Sequence, residues 1–182
     1  MVGEIIDHKE EVRVKYHRGI GRIGVLSDTH IPARARSLPP ELFARLREVE
    51  LILHAGDIVD DRVLVELEAL APVEAVAGNM DPPHLHERLG RIKLLHVGGY
   101  RIGLVHGDGV RWTTRRRAEE AFAGLEPAVI VFGHSHRPLC EKSGELLLFN
   151  PGSCVDPRGA GRPSYGILHL SSSGIFGEIH RL

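Results

Sequence analysis

The sequence predicts an α/β fold, a mixed sheet arrangement covered by helices, and three observations predict it. Short apolar runs of strand length alternate with helical segments between residues 22 and 132. The remainder is strand-rich and broken by turn signals at Ser143-Gly144 and Ser171–Gly174. The 182 residues, 42% of them hydrophobic, suit one domain that buries roughly 70% of the surface its unfolded chain exposes.

Each element has a local reason. Residues 1–18 are highly charged and hold one stretch of period-2 alternation, Val12–Tyr16, so they read as an N-terminal extension or an edge strand. Residues 19–182 then form the single domain, with no repeat or linker inside it. Ile23–Leu26 is a strand, and Pro39–Val49 a helix with prolines near its start and Leu42, Leu46 and Val49 on one face. Leu51–His54 is a strand, Asp61–Leu70 a helix with an acidic entry, and Val73–Ala77 a third strand. Asp81–Gly90 reads as a loop. Ile92–Val97 and Tyr100–Val105 flank Gly98-Gly99, a hairpin signal. Thr113–Gly124 is a helix ended by glycine, and Ala128–Phe132 a strand. Leu139–Lys142, Glu145–Phe149, Tyr165–Leu170 and Ile175–His180 complete the strands.

Composition excludes several function classes. Lys and Arg number 23 against 24 Asp and Glu, so no basic excess serves a nucleic acid or an anionic membrane. Aromatic residues are only 5%, too few for stacking platforms along a single strand of nucleic acid. Two cysteines, Cys140 and Cys154, build no disulfide framework. The first residues lack an apolar signal-peptide core, and no run approaches the ~20 apolar residues that span a bilayer. The expectation is a cytoplasmic protein, with a homo-oligomer left open. One number is abnormal: twelve histidines.

The residues immediately behind the strands account for part of that excess. Ligand sites in α/β sheets lie beyond the carboxyl ends of strands. Behind Ile23–Leu26 stands Asp28-x-His30, behind Leu51–His54 Gly56-Asp57, and behind Val73–Ala77 Gly78-Asn79-Met80-Asp81. His106 comes directly after Tyr100–Val105, and Gly133-His134-Ser135-His136 after Ala128–Phe132. A lone D-x-H arises by chance about 0.5 times in such a composition, and G-H-x-H about 0.1 times. Five blocks in order, each directly behind a strand, form a far rarer pattern. Carboxylate, amide and imidazole delivered to one edge make a metal site.

These blocks resemble the calcineurin-like metallophosphoesterases over residues 22–137. The compact length, the Gly-Asn-Met-Asp block and Asn150-Pro151-Gly152-Ser153 look most like the small YfcE-type phosphodiesterases, to which a eukaryotic retromer subunit is related in fold. The resemblance implies two mixed β-sheets packed as a sandwich flanked by helices, in α-β-β-α layers. It implies one metal held by Asp28, His30, Asp57 and His136, and a second by Asp57, Asn79, His106 and His134, with Asp57 bridging. Such mixed ligation suits Mn first, with Ni, Fe or Zn as alternatives. Two divalent ions, two carboxylates and a bridging hydroxide leave about one net positive charge for a small anionic phosphoester. Two metals about 3.5–4 Å apart hold a hydroxide for in-line attack on phosphorus. The implied activity is a dinuclear-metal phosphodiesterase, with Asp57, Asn79 and His106 as catalytic residues. A non-catalytic metal-binding scaffold of the same fold and a phosphomonoesterase are the alternatives.

One position departs from the family. The superfamily block reads G-N-H-[ED], and its histidine assists the phosphoryl or leaving-group oxygen; here Met80 stands there and supplies no proton. His84 and His86 are the nearest candidates to replace it. Around the site, His54 is either an outer partner of a ligand or a core residue. Asp81 reads as a hydrogen-bond partner or a turn residue, Asp108 as a turn or cap, and Arg115–Arg117 as an exposed helix face. Cys154 reads as a buried small residue. Asn150–Ser153 reads as a brace for the His134–His136 loop. Gly19-x-Gly21-x-x-Gly24 matches a dinucleotide fingerprint by letter, but it runs into a strand rather than opening a helix. Specificity is expected in the loops Ile31–Ser37, Asp81–Gly90 and Gly107–Thr114.

Overall fold

A computed structural model describes residues 12–17, 19 and 21–182. Residues 1–11 and 18 of the expected N-terminal extension lie outside the described residues. The strands are β1 (Arg13–His17), β2 (Arg22–Leu26), β3 (Leu51–His54), β4 (Val73–Ala75), β5 (Ile92–Val97), β6 (Tyr100–Val105), β7 (Val129–Val131), β8 (Leu139–Ser143), β9 (Leu146–Asn150), β10 (Ser164–Ser171) and β11 (Gly174–Arg181). The helices are α1 (Pro40–Arg45), α2 (Asp61–Glu68), α3 (Pro83–Leu89) and α4 (Thr114–Ala121). Two mixed sheets result, one ordered β1-β5-β6-β7-β9-β8 and the other β11-β10-β2-β3-β4. In the second, β2, β3 and β4 run parallel, and in the first β6, β7 and β9 do. The parallel strands therefore send their carboxyl ends to common edges.

Period-2 alternation explains the layering. Ile23, Val25, Leu51, Leu53, Leu95, Val97, Ile102, Leu104, Val129, Val131, Leu147 and Phe149 form one fully apolar cluster between the two sheets. The opposite face of the five-stranded sheet (Leu26, Ile52, Ala75, Ile167) packs on Leu42, Leu64, Leu67 and Leu85 of α1, α2 and α3. The opposite face of the other sheet (Leu94, Val105, Ile130, Leu148) packs on Ala118 and Phe122 at α4. The layers are α-β-β-α, as the resemblance implies.

Helix ends are where the structure departs from the sequence reading. α1 stops at Arg45, although Leu46 and Val49 beyond it stay buried against the sheet. α2 begins behind Asp60, whose carboxylate accepts the Arg62 N–H, and α4 behind Thr113, whose hydroxyl accepts the Arg116 N–H. α3 lies where a loop is expected. Its signals are present in the sequence: Pro83 in the first turn, Leu85 and Leu89 four apart and both buried, and Gly90 at φ +72° closing it. β1 pairs parallel with β5, so Arg13–His17 is an edge strand. Gly24 lies within β2 against Leu46 of the α1 end, a packing role and not a phosphate loop.

Candidate metal centre

The expected ligand residues all emerge where strands end on one edge of the sandwich. The five-stranded sheet delivers Asp28 and His30 behind β2, Asp57 behind β3 and Asn79 behind β4. The six-stranded sheet delivers His106 behind β6, and His134 and His136 behind β7. Backbone bonds lock these ends together: Asp28 N to Gly56 O and His30 N to Asp57 O at 3.0 Å, and Gly133 N to His106 O at 3.1 Å. Asp28, His30, Asp57, His134 and His136 all adopt left-handed backbone, with φ between +47° and +62°. Each such conformation costs a side chain on the order of 1 kcal/mol, so the surrounding packing must over-determine it. Two motif glycines have a spatial reason. A Cβ on Gly78 would collide with Asp57 Oδ1, and one on Gly133 would stand 2.8 Å from Asp28 Oδ2.

The side chains converge. His136 Nε2 lies 3.3 Å from Asp28 Oδ1 and 3.2 Å from His30 Nε2. Asp57 Oδ2 lies between His30 Nε2 at 3.5 Å and His106 Nε2 at 3.3 Å. His134 Nδ1 and Asn79 Oδ1 are 3.1 Å apart, and the His134 ring meets the His106 ring edge-on at 5.2 Å. Two buried triads have ligand atoms within 4.8 Å of one another: Asp28, His30 and His136, and Asp28, Asp57 and His106.

Outer contacts aim these groups. His106 Nδ1 donates to Ala55 O at 2.7 Å, and His136 Nδ1 donates to Asp156 O, which fixes the tautomer that turns a free Nε2 inward. Asp81 accepts four backbone N–H groups, those of Asp57, Ile58, Val59 and Gly78, at 2.6–3.0 Å. It thereby ties the Asp57 turn to the Asn79 turn. Met80 N donates to Asp57 Oδ1 at 2.8 Å, so the backbone of this position works on the site whatever its side chain.

Electrostatics test whether a metal fits. Both carboxylate oxygens of Asp28 and His106 Nε2 are buried without a hydrogen-bond partner. An orphaned buried carboxylate is costly, and a cation among these atoms relieves that cost. The donor set fits divalent transition ions. Burial raises the Asp28 pKa and pushes His30 down to about 4, while His134 is lowered by burial and by His106. His106 resists its burial because Asp57 and Asp28 hold its proton, up to about 9. Burial alone would raise Asp57, but contact with His106 and the Met80 N–H holds it at about 2.

The comparisons with known proteins decide the family. The calcineurin-like phosphoesterase superfamily domain matches residues 22–173. This chain belongs to that superfamily. A probable metallophosphoesterase of Methanothermobacter thermautotrophicus is 40% identical over 87% of this chain and 91% of its own length. A phosphodiesterase of Methanocaldococcus jannaschii, MJ0936, is 31% identical over 81% of this chain and 92% of its own. Among solved structures, Vps29 of Entamoeba histolytica complexed with zinc superposes with a TM-score of 0.74 at 22% identity, covering 88% of this chain and 98% of that one, and shares the fold.

Around this calcineurin-like centre, the other residues singled out by sequence take distinct places. His84 is drawn off to Asp61 at 2.7 Å on the α2 entry, and His86 lies on the same helix, α3. Met80 is exposed. His54 is fully buried, 3.2 Å from the hydroxyl of Thr29, and burial pushes its pKa down to about 3; it supports the turn between Asp28 and His30. Asn150 donates to Gly133 O and Ser135 Oγ, and Ser153 to Asp28 O, so this loop braces both sheets' strand ends. Cys154 is buried, which pushes its thiol up to about 12. Asp108 pairs with Arg91, and Arg115 and Arg116 with Glu119 and Glu120. Sequence reasoning misses Asp156, whose useful atom is a backbone carbonyl, and Arg117, whose guanidinium holds a loop. No motif announces either. Among the described residues, no helix is long and apolar enough to cross a membrane.

Proposed function

We propose that this chain is a two-metal phosphodiesterase of the small YfcE type, loaded with manganese and working in the cytoplasm. The observation that carries the reading is the pair of partnerless Asp28 oxygens facing His106 Nε2 inside a ring of imidazoles. In this reading Asp28, His30, Asp57 and His136 hold one ion, and Asp57, Asn79, His106 and His134 the other. When bound, two divalent ions supply Lewis acidity and an activated water nucleophile at neutral pH. The chain's own residues do the positioning. Asp57 Oδ2, 3.5 Å from His30 and 3.3 Å from His106, would serve both ions in this reading. The Met80 N–H holds that carboxylate, and Asp81 holds the backbone N–H of Asp57. Two free cysteines, one of them buried, suit a reducing compartment.

Met80 has no proton to give, and the candidate His84 is engaged by Asp61. We expect diesters with acidic aryl leaving groups to turn over fastest, and the 31% identical relative that carries the name phosphodiesterase supports the diester. The test compares aryl mono- and diesters with protein stripped of metal and resupplied with Mn, Ni or Zn. Diester hydrolysis that disappears on stripping and returns best with Mn is the expected result. Activity that survives stripping defeats the reading, and a Met80→His variant that speeds alkyl and aryl esters equally defeats the account of Met80. A scaffold role is the second reading, favoured by the fold shared with Vps29 and by Met80; metal binding without turnover on either ester class would select it.

A further inference from the structure

We infer that Trp112 is a specificity residue, receiving a flat aromatic group of the ester beside the metal centre. This rests on the phosphoesterase reading and deepens it. Among the described residues seven large apolar side chains stand exposed, and three of them, Met80, Val110 and Trp112, rise from the segments that leave Asn79 and His106. Val110 is fully exposed and Trp112 is 58% exposed. An indole left in water costs free energy unless something covers it in use.

The loop that carries Trp112 is not loose. Arg117 donates to Gly107 O at 2.7 Å, to Arg111 O at 3.0 Å and to Trp112 O at 2.6 Å. One guanidinium therefore joins the carbonyl next to His106 to the carbonyl of Trp112. Gly107 follows His106 directly, so the clamp is anchored where the six-stranded sheet delivers that imidazole. Trp112 has φ +60°, a backbone conformation that L side chains rarely adopt and that persists only where the surroundings impose it. The backbone that carries the indole is thereby held, so a ligand stacking on it meets a loop already ordered. Arg111 lies over the ring, 5.1 Å from its centroid, adding positive charge where a phosphoester arrives. The centre itself has an open part: Asn79 is exposed and His134 half-buried.

The experiment uses two methyl phosphodiesters with leaving groups of similar acidity, phenol and hexafluoroisopropanol, one flat and one not. Trp112→Ala is expected to lower kcat/KM for the phenyl ester about tenfold, chiefly through KM, and for the fluoroalkyl ester less than about twofold, since base stacking on an aromatic side chain has that size. Trp112→Phe should restore most of the loss. Equal losses on both esters, or none on either, overturn the inference. Trp112 is the only tryptophan in the chain, so its emission reports the same contact without turnover. Phenylphosphonate added to the Mn-loaded protein should change that emission saturably and at least fivefold more tightly than methylphosphonate. If the wild type hydrolyses neither ester, the phosphoesterase reading falls, and the phosphonate titration alone decides the stacking: matching curves for the two phosphonates overturn it.

Discussion

The centre has a closed half and an open half, and they are built differently. Asp28, His30 and His136 are almost wholly buried, with His30 and His136 stacked 5.1 Å apart. Their supports come from one loop and one strand end: Asp156 O on His136 and Ser153 under the Asp28 carbonyl from the loop behind β9, and His54 of β3 beside Thr29. Asn79 and His134, by contrast, are exposed or half-exposed, and their side chains lean on each other at 3.1 Å. A rigid, desolvated donor set loses little entropy on binding an ion, whereas an exposed one must be ordered. The closed half is therefore expected to hold its ion tightly, and the open half to exchange its ion and meet the substrate.

Asp57 joins the halves, so Asp57→Asn is the largest way to break the comparison. Retention of metal through desalting should fall from two ions per chain to none, because the amide bridges poorly and both sites lose a charge. Hydrolysis should fall by more than the ~10–100-fold that loss of an outer partner costs. His136→Ala and Asn79→Ala should each leave one ion. The survivor in Asn79→Ala, held by the closed half, should resist chelator longer. Equal resistance in the two variants would show that burial does not rank the halves.

Most of the fold and the placement of the candidate ligand residues behind the strands are legible in the sequence because both depend on the same period. Strands buried on both faces read as short apolar runs, and a run's end locates the next donor, as Val105 locates His106. The braces are not legible. Ala55 and Asp156 contribute backbone carbonyls, which any residue carries, and their role depends on a loop meeting a distant imidazole. Arg117 looks like a third member of an arginine run, and only the curl of the 107–114 loop separates it from Arg115 and Arg116. The α3 helix hides behind Pro82-Pro83, which favours a turn as readily as a helix start.

Asp81 tests the seam between the halves at intermediate size. Its Oδ2 accepts from Asp57 and Gly78 and its Oδ1 from Ile58 and Val59, so Asp81→Asn leaves one pair of buried N–H groups facing an NH2. Thermal denaturation should show a loss of about 1–3 kcal/mol. Metal affinity should fall about 10–100-fold. The open-half ion should suffer more, because Gly78 leads directly into Asn79. Unchanged melting and unchanged metal titration would remove Asp81 from the machinery.

The smallest effect separates the halves by protons. In the metal-free protein His106 keeps its proton up to about 9, against a usual 6.5, because the charges of Asp57 and Asp28 outweigh its burial. A raised folded pKa stabilises the metal-free fold fully below about 6.5, and that contribution is lost as pH rises through about 9. A divalent ion needs the bare Nε2, so binding at His106 must expel the proton. His30, held down at about 4, is already neutral throughout that window. The open-half ion should therefore bind up to about tenfold more tightly per pH unit between 6.5 and 9, and release close to one proton. The closed-half ion should show little dependence there. Calorimetric titration in buffers of differing ionisation heat measures the protons at each step, and equal release at both steps would mean that the two halves share one electrostatic environment.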